Sequence, residues 1–185
     1  MKKSLLITTM SIATTISLLL SSSSYAYAES GPTNVVSALS GFSTKVFAQG
    51  TSSVIKPDDI TIIGGKIFIG FQNGVGSDGI AASTGETKST VQEYDQTGKA
   101  IASWNITGKC DGLSADTANN RLIATVNEDG NSSMYIITPS AAQAQKVQHI
   151  TFKAAAGQTL PAGGTDSITF KNGNIYISFS TTSRQ

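Results

Sequence analysis

The sequence predicts an all-β fold made from one antiparallel unit used repeatedly, and three observations predict it. First, a segment recurs. Pro57–Phe71 (PDDITIIGGKIFIGF), Lys109–Val126 (KCDGLSADTANNRLIATV) and Gly164–Phe179 (GTDSITFKNGNIYISF) align on the acids Asp58, Asp111 and Asp166, two positions ahead of Ile60, Leu113 and Ile168. Second, apolar and polar residues alternate behind each acid, with Ile60/Ile62, Leu113/Ala115 and Ile168/Phe170 marking the buried side of a strand. Third, a polar turn (Gly64-Gly65-Lys66, Asn119-Asn120-Arg121, Asn172-Gly173-Asn174) leads each time into a returning strand rich in β-branched and aromatic residues. Recurrence at roughly 50–55 residues marks propellers and solenoids. A single hairpin has open edges and one apolar face, so it needs neighbours.

The elements follow in order. Lys2 and Lys3, the apolar stretch Leu5–Leu20 and the small residues of Ala26-Tyr27-Ala28 have the layout of a secretory signal peptide over residues 1–28. Cleavage there leaves Glu29 as the first residue of an exported, extracellular protein with no stable membrane anchor, and bacterial-type export fits the pattern. No cysteine follows the apolar stretch to take a lipid. Residues 29–56 read as a polar lead-in in which Ser43–Gln49 alternates like an outer strand. Unit one, 57–108, places its third strand at Thr90–Tyr94 and its fourth at Lys99–Ile106, after a long Gly/Ser/Thr-rich loop from Gln72 to Ser89. Loops of that length inside a domain are usually functional or disordered. Unit two, 109–163, has Ser133–Thr138 and Lys146–Phe152 as its outer pair, with a single helical turn expected within Ser140–Gln145. Unit three, 164–185, holds two strands and no outer pair. Four strands per unit is the arithmetic of a β-propeller blade, and propellers close with about four to eight blades. The expectation is therefore an incomplete propeller of about two and a half blades, a truncated piece of a longer protein rather than a subunit that closes a ring with its copies.

Composition excludes several functions. Charged residues make up 14%, and the formal net charge is +1, without the basic excess of a nucleic-acid binder. Cys110 is the only cysteine, so no intrachain disulfide forms, and its place at the start of an apolar strand suits a small buried side chain. Gly74-Val75-Gly76-Ser77-Asp78-Gly79 matches G-x-G-x-x-G but leads to another strand, where a dinucleotide site needs a helix. Asn127–Asn131 (NEDGN) gathers oxygen ligands around a glycine, yet lacks EF-hand spacing and reads as a hairpin turn. His149 is the only histidine and falls within an outer-strand alternation, a poor place for a catalytic base.

Lys109-Cys110-Asp111-Gly112-Leu113 with Asp116, Asn120, Arg121 and Leu122, together with Tyr94-Asp95-Gln96-Thr97-Gly98, resembles the NHL and SMP-30/gluconolactonase-like propellers. The resemblance spans residues 56–179. It implies blades whose inner strands open at one mouth of a central channel. In the gluconolactonase-like proteins a divalent cation polarises a lactone carbonyl or activates water, and an E-G-P-x-W-type segment supplies a metal-ligating Glu. Lys56-Pro57-Asp58-Asp59-Ile60 lacks both that Glu and the Trp.

Asp58, Asp111 and Asp166 are the candidate site. As a ring of carboxylates at a channel mouth they could hold a divalent cation such as calcium. As turn residues they would bond nearby backbone amides, and repetition favours this structural role, because a geometric need recurs in every blade. The sequence thus supports a secreted, non-catalytic binding module for an extracellular protein, glycan or small molecule. The alternative is a metal-dependent lactonase or hydrolase, inactive in this form.

Overall fold

A computed structural model describes residues 40–180. Residues 1–39, which include the expected signal peptide and the apolar stretch Leu5–Leu20, lie outside the described residues. The chain divides into two units at Thr44/Lys45, and the account below concerns the second.

That unit is all-β, with three antiparallel sheets of four, four and two strands. The first sheet runs β1 (Pro57–Ile63), β2 (Lys66–Phe71), β3 (Lys88–Tyr94) and β4 (Ala100–Thr107), each strand pairing with the next. The second repeats the plan with β5 (Cys110–Asp116), β6 (Arg121–Val126), β7 (Ser133–Ile137) and β8 (Val147–Thr151). The third is the hairpin β9 (Thr165–Lys171) and β10 (Asn174–Phe179). The recurring segment supplies the first hairpin of each sheet, and β5 packs beside β1 on one side and β9 on the other. Among the described residues no helix is long and apolar enough to cross a membrane, and a single 3-10 turn at Gln143–Gln145 is the helical turn expected there.

The hairpin turns show why these residue types recur. Gly64 and Gly65 both have positive φ (58° and 71°), as do Asn172 and Gly173 (51° and 77°). Two successive left-handed residues match the twist of the flanking strands. The left-handed pair of the third hairpin is therefore Asn172-Gly173, the first two residues of its polar turn. In the second hairpin only Asn120 is left-handed. Asn119 instead donates from Nδ2 to Asp116 Oδ2 at 2.7 Å, and Arg121 Nε donates to the same oxygen at 2.7 Å. The D-x-x-x-N-R pattern is thus a side-chain clamp across a turn. Tyr94-Asp95-Gln96-Thr97-Gly98 is similar: Asp95 Oδ1 accepts from the Thr97 and Lys99 backbone amides and from the Thr97 hydroxyl, while Gly98 takes φ 87°.

Two cores lie between the sheets. Phe68, Val91, Trp104 and Ile106 of the first sheet meet Leu113, Leu122, Ala124, Tyr135 and Ile137 of the second. On the opposite face of the second sheet, Ile123, Ile136, Met134 and Ile150 meet Ile168, Phe170, Ile175 and Ile177 of the third. Strand β6 is consequently buried on both faces, where alternation alone gives one buried side. In β1 the expectation of a buried Ile60/Ile62 side fails. Both are exposed, and Ile63 and Thr61 turn inward instead, because no described sheet precedes the first one.

Hydroxyl groups fasten one sheet to the next. Ser89, fully buried at the start of β3, donates to the Gly108 carbonyl at 2.7 Å and accepts from the Cys110 amide at 2.8 Å. Ser132, just ahead of β7, donates to the Asn127 carbonyl and accepts from the Thr165 amide at 3.2 Å. The first residue of each following sheet is held by the same kind of group, so these buried amides stay satisfied.

Ser43–Gln49 forms no strand. Instead of adding an edge, the Phe47 ring packs edge-on against Tyr94, centroids 6.1 Å apart. The loop after β2 is ordered by Asn73, which is left-handed (φ 54°) and buried. Its Oδ1 accepts from the Ile55 amide, and its Nδ2 donates to the Lys88 carbonyl and the Thr90 hydroxyl.

Candidate functional site

The site is built at the heads of β5 and β9. Asp111 is the second residue of β5 and Asp166 the second of β9. The β6–β7 connection, Asn127–Ser132, brings Glu128 to them. One carboxylate oxygen from each of Asp111, Glu128 and Asp166 lies within 4.8 Å of the others, and all three residues are half-buried. Lys109 enters the group, bonding Glu128 through Nζ and approaching Asp111 Oδ1 at 3.6 Å. Asp166 Oδ2 also accepts from the Ser180 hydroxyl at 3.0 Å.

The loop is aimed by Asn127, left-handed at φ 69°. Its Oδ1 accepts from the Lys109 amide at 2.9 Å and its Nδ2 donates to the Asn131 carbonyl at 3.0 Å. Asn127 therefore ties the backbone of Lys109 to the loop that carries Glu128. The Asn131 side chain reaches the Asp78 carbonyl at 3.2 Å, linking this loop to the one after β2.

Electrostatics follow from this crowding. Burial, reinforced by the charge of Glu128 and opposed by Lys109, pushes the Asp111 carboxyl up to about 8. Burial alone would lower Lys109, but the hydrogen bond to Glu128 and the charges of Asp111, Glu128 and Asp58 outweigh it, so the ammonium is held above its usual range. At neutral pH Asp111 therefore favours its protonated form beside the Lys109 ammonium.

Of the acids singled out in the sequence, Asp111 and Asp166 come together, whereas Asp58 is exposed on β1 and acts on Asp111 and Lys109 only through its charge. Its neighbour Asp59 turns toward the second sheet and lies against the Leu113 backbone amide, its carboxyl raised by burial and then by Asp58. Glu128 and Lys109 are the members the sequence reading missed. The signal available for Glu128 was the oxygen-rich stretch Asn127–Asn131.

Two other reactive side chains are committed elsewhere. Cys110 is a fully buried free thiol, pushed up to about 12 by burial and then by the nearby Asp59 charge, and a thiol held protonated is a poor nucleophile. A Cβ at Gly70 would stand 2.9 Å from its sulfur, so the β2 backbone closes directly over it. His149 stacks on Tyr135 with centroids 4.4 Å apart and shares a 2.8 Å hydrogen bond with Ser133 Oγ.

Comparison with protein-family models, with curated proteins and with solved structures found no match to this chain.

Proposed function

We propose that this chain is an exported, non-catalytic binding module built as part of a β-propeller, and that its acidic end receives a positively charged ligand. One observation carries the reading: acids at equivalent positions of successive repeats converge, with Glu128, at the heads of adjoining first strands. The oxygen-only donor set of Asp111, Glu128 and Asp166 has the chemistry to hold a hard divalent cation. Lys109 already places its ammonium among these oxygens. A cation entering the site must displace that ammonium and the proton on Asp111, so the site is weak at neutral pH. The same crowding gives the acids a structural part, since each carries a partner within the fold.

Calcium titration of thermal stability tests the reading, because a ligand that binds the folded state raises stability by mass action. The wild type should gain only at millimolar calcium. Lys109→Met should gain at lower concentration, since the competing ammonium is gone, and Asp111→Asn should gain least. If neither the wild type nor Lys109→Met responds to calcium, the acidic end is purely structural and the cation-binding proposal fails.

A further inference from the structure

We propose that Asn131 is a site of N-linked glycosylation, modified during export before β7 closes against β8; the proposal rests on the export reading above. The residues are Asp129-Gly130-Asn131-Ser132-Ser133, leading from the β6–β7 connection into the head of β7. Asn-x-Ser or Asn-x-Thr, with x other than proline, is the acceptor pattern, because the transfer enzyme grips the hydroxyl two residues beyond the asparagine it modifies. Bacterial transfer enzymes of this class also require an acid two residues before the asparagine, and Asp129 stands there. A second acceptor pattern, Asn105-Ile106-Thr107, has Ser103 at that position instead. A chain exported by a bacterial-type route therefore carries one complete acceptor.

The fold has room for a glycan here. Asn131 is exposed and left-handed at φ 53°, and a Cβ added to the preceding Gly130 would meet nothing within 4 Å. Asn131 Nδ2 donates one hydrogen to the Asp78 carbonyl at 3.2 Å. An amide nitrogen carries two hydrogens, and glycosylation replaces one of them, so the bond that ties this loop to the one after β2 survives. The donor is an oligosaccharide linked to a polyprenyl diphosphate. Asn131 Nδ2 bonds to the anomeric carbon of its first sugar while the bond from that carbon to the diphosphate oxygen breaks. Polyprenyl diphosphate leaves, and the displaced amide proton passes to solvent.

The hydroxyl fixes the timing. Ser133 is buried, and its Oγ shares a 2.8 Å hydrogen bond with His149 Nε2. Its backbone lies between its partners Val126 of β6 and Thr151 of β8. A transfer enzyme cannot grip that hydroxyl in the folded chain, so modification precedes the pairing of β7 with β8. Once folded, the glycan stands on the loop that carries Glu128.

Glycopeptide mass spectrometry tests the proposal. Full-length chain is produced in bacteria that carry an acid-requiring oligosaccharyltransferase and its lipid-linked donor. It is made once behind its own residues 1–28 and once with an established export leader in their place. The exported chain should carry the oligosaccharide on Asn131 and none on Asn105. Asp129→Glu should keep the modification, whereas Asp129→Ala and Asn131→Gln should lose it. If only the form with the established leader is exported and modified, the export reading fails and the glycosylation site stands. A chain that is exported behind the established leader yet bare at Asn131 overturns the proposal, and so does a glycan that survives Asp129→Ala. The timing is read in vitro with the same enzyme and donor: a peptide of residues 126–136 should be modified and the purified folded chain should not. Equal modification of both overturns the order of events.

Discussion

Leu122 and Ile123 are adjacent in β6, and both are fully buried, Leu122 toward the first sheet and Ile123 toward the third. Replacing either by alanine removes three side-chain carbons from a packed interior. At about 0.8 kcal/mol per buried methylene that is about 2.4 kcal/mol of transfer free energy. The cavity left behind raises the expected cost to about 3–4 kcal/mol for each variant. Against a typical domain stability of about 5–15 kcal/mol, either single variant should fold, and the double variant should be marginal. Ile62→Ala, at a site 61% exposed, should stay within about 0.5 kcal/mol. Urea denaturation followed by tryptophan fluorescence supplies the free energies, since Trp104 lies in the core between the first and second sheets. The decisive comparison is between the two neighbours. A costly Leu122→Ala beside an Ile123→Ala that costs less than about 1 kcal/mol would mean that the second sheet is covered on one face only, and the stacking argument would collapse.

Two further outcomes follow from the same packing. The Asp111 carboxyl, raised from 3.8 to about 8 in the folded state, binds its proton more tightly folded than unfolded, so its stabilising contribution is complete below about pH 4 and is lost as pH rises through about 8. In metal-free buffer, Asp111→Asn should flatten the stability profile between those limits, and an unchanged profile would contradict the assignment. Cys110, fully buried with its thiol pushed up to about 12, should resist a thiol-specific disulfide reagent in the native protein at pH 8 and react in denaturant. Rapid native labelling would mean that the β2–β5 contact opens readily.

Local chemistry was the legible part of this fold. Gly64-Gly65 and Asn172-Gly173 announce hairpins because few other residues tolerate successive positive φ angles, and the returning strands announce themselves by composition. What covers a strand is not local. The alternation in PDDITII predicts that Ile60 and Ile62 share a face, which they do, but not whether anything lies against that face. RLIATV runs apolar through three consecutive positions, Leu122 to Ala124, a sign of two covered faces, and the strand is buried on both, where the one-sided reading expected one. The site divides in the same way. Asp111 and Asp166 were legible because repetition puts equivalent residues at equivalent strand heads. Glu128 was not, because only the closing of the β5–β6 hairpin, with Asn127 holding the Lys109 amide, returns it to Asp111. A repeat therefore fixes what each unit offers, while position in the stack decides what each unit meets. Ile60, Leu113 and Ile168 occupy the same place in their units, and Ile60, which no described sheet precedes, is the one left exposed.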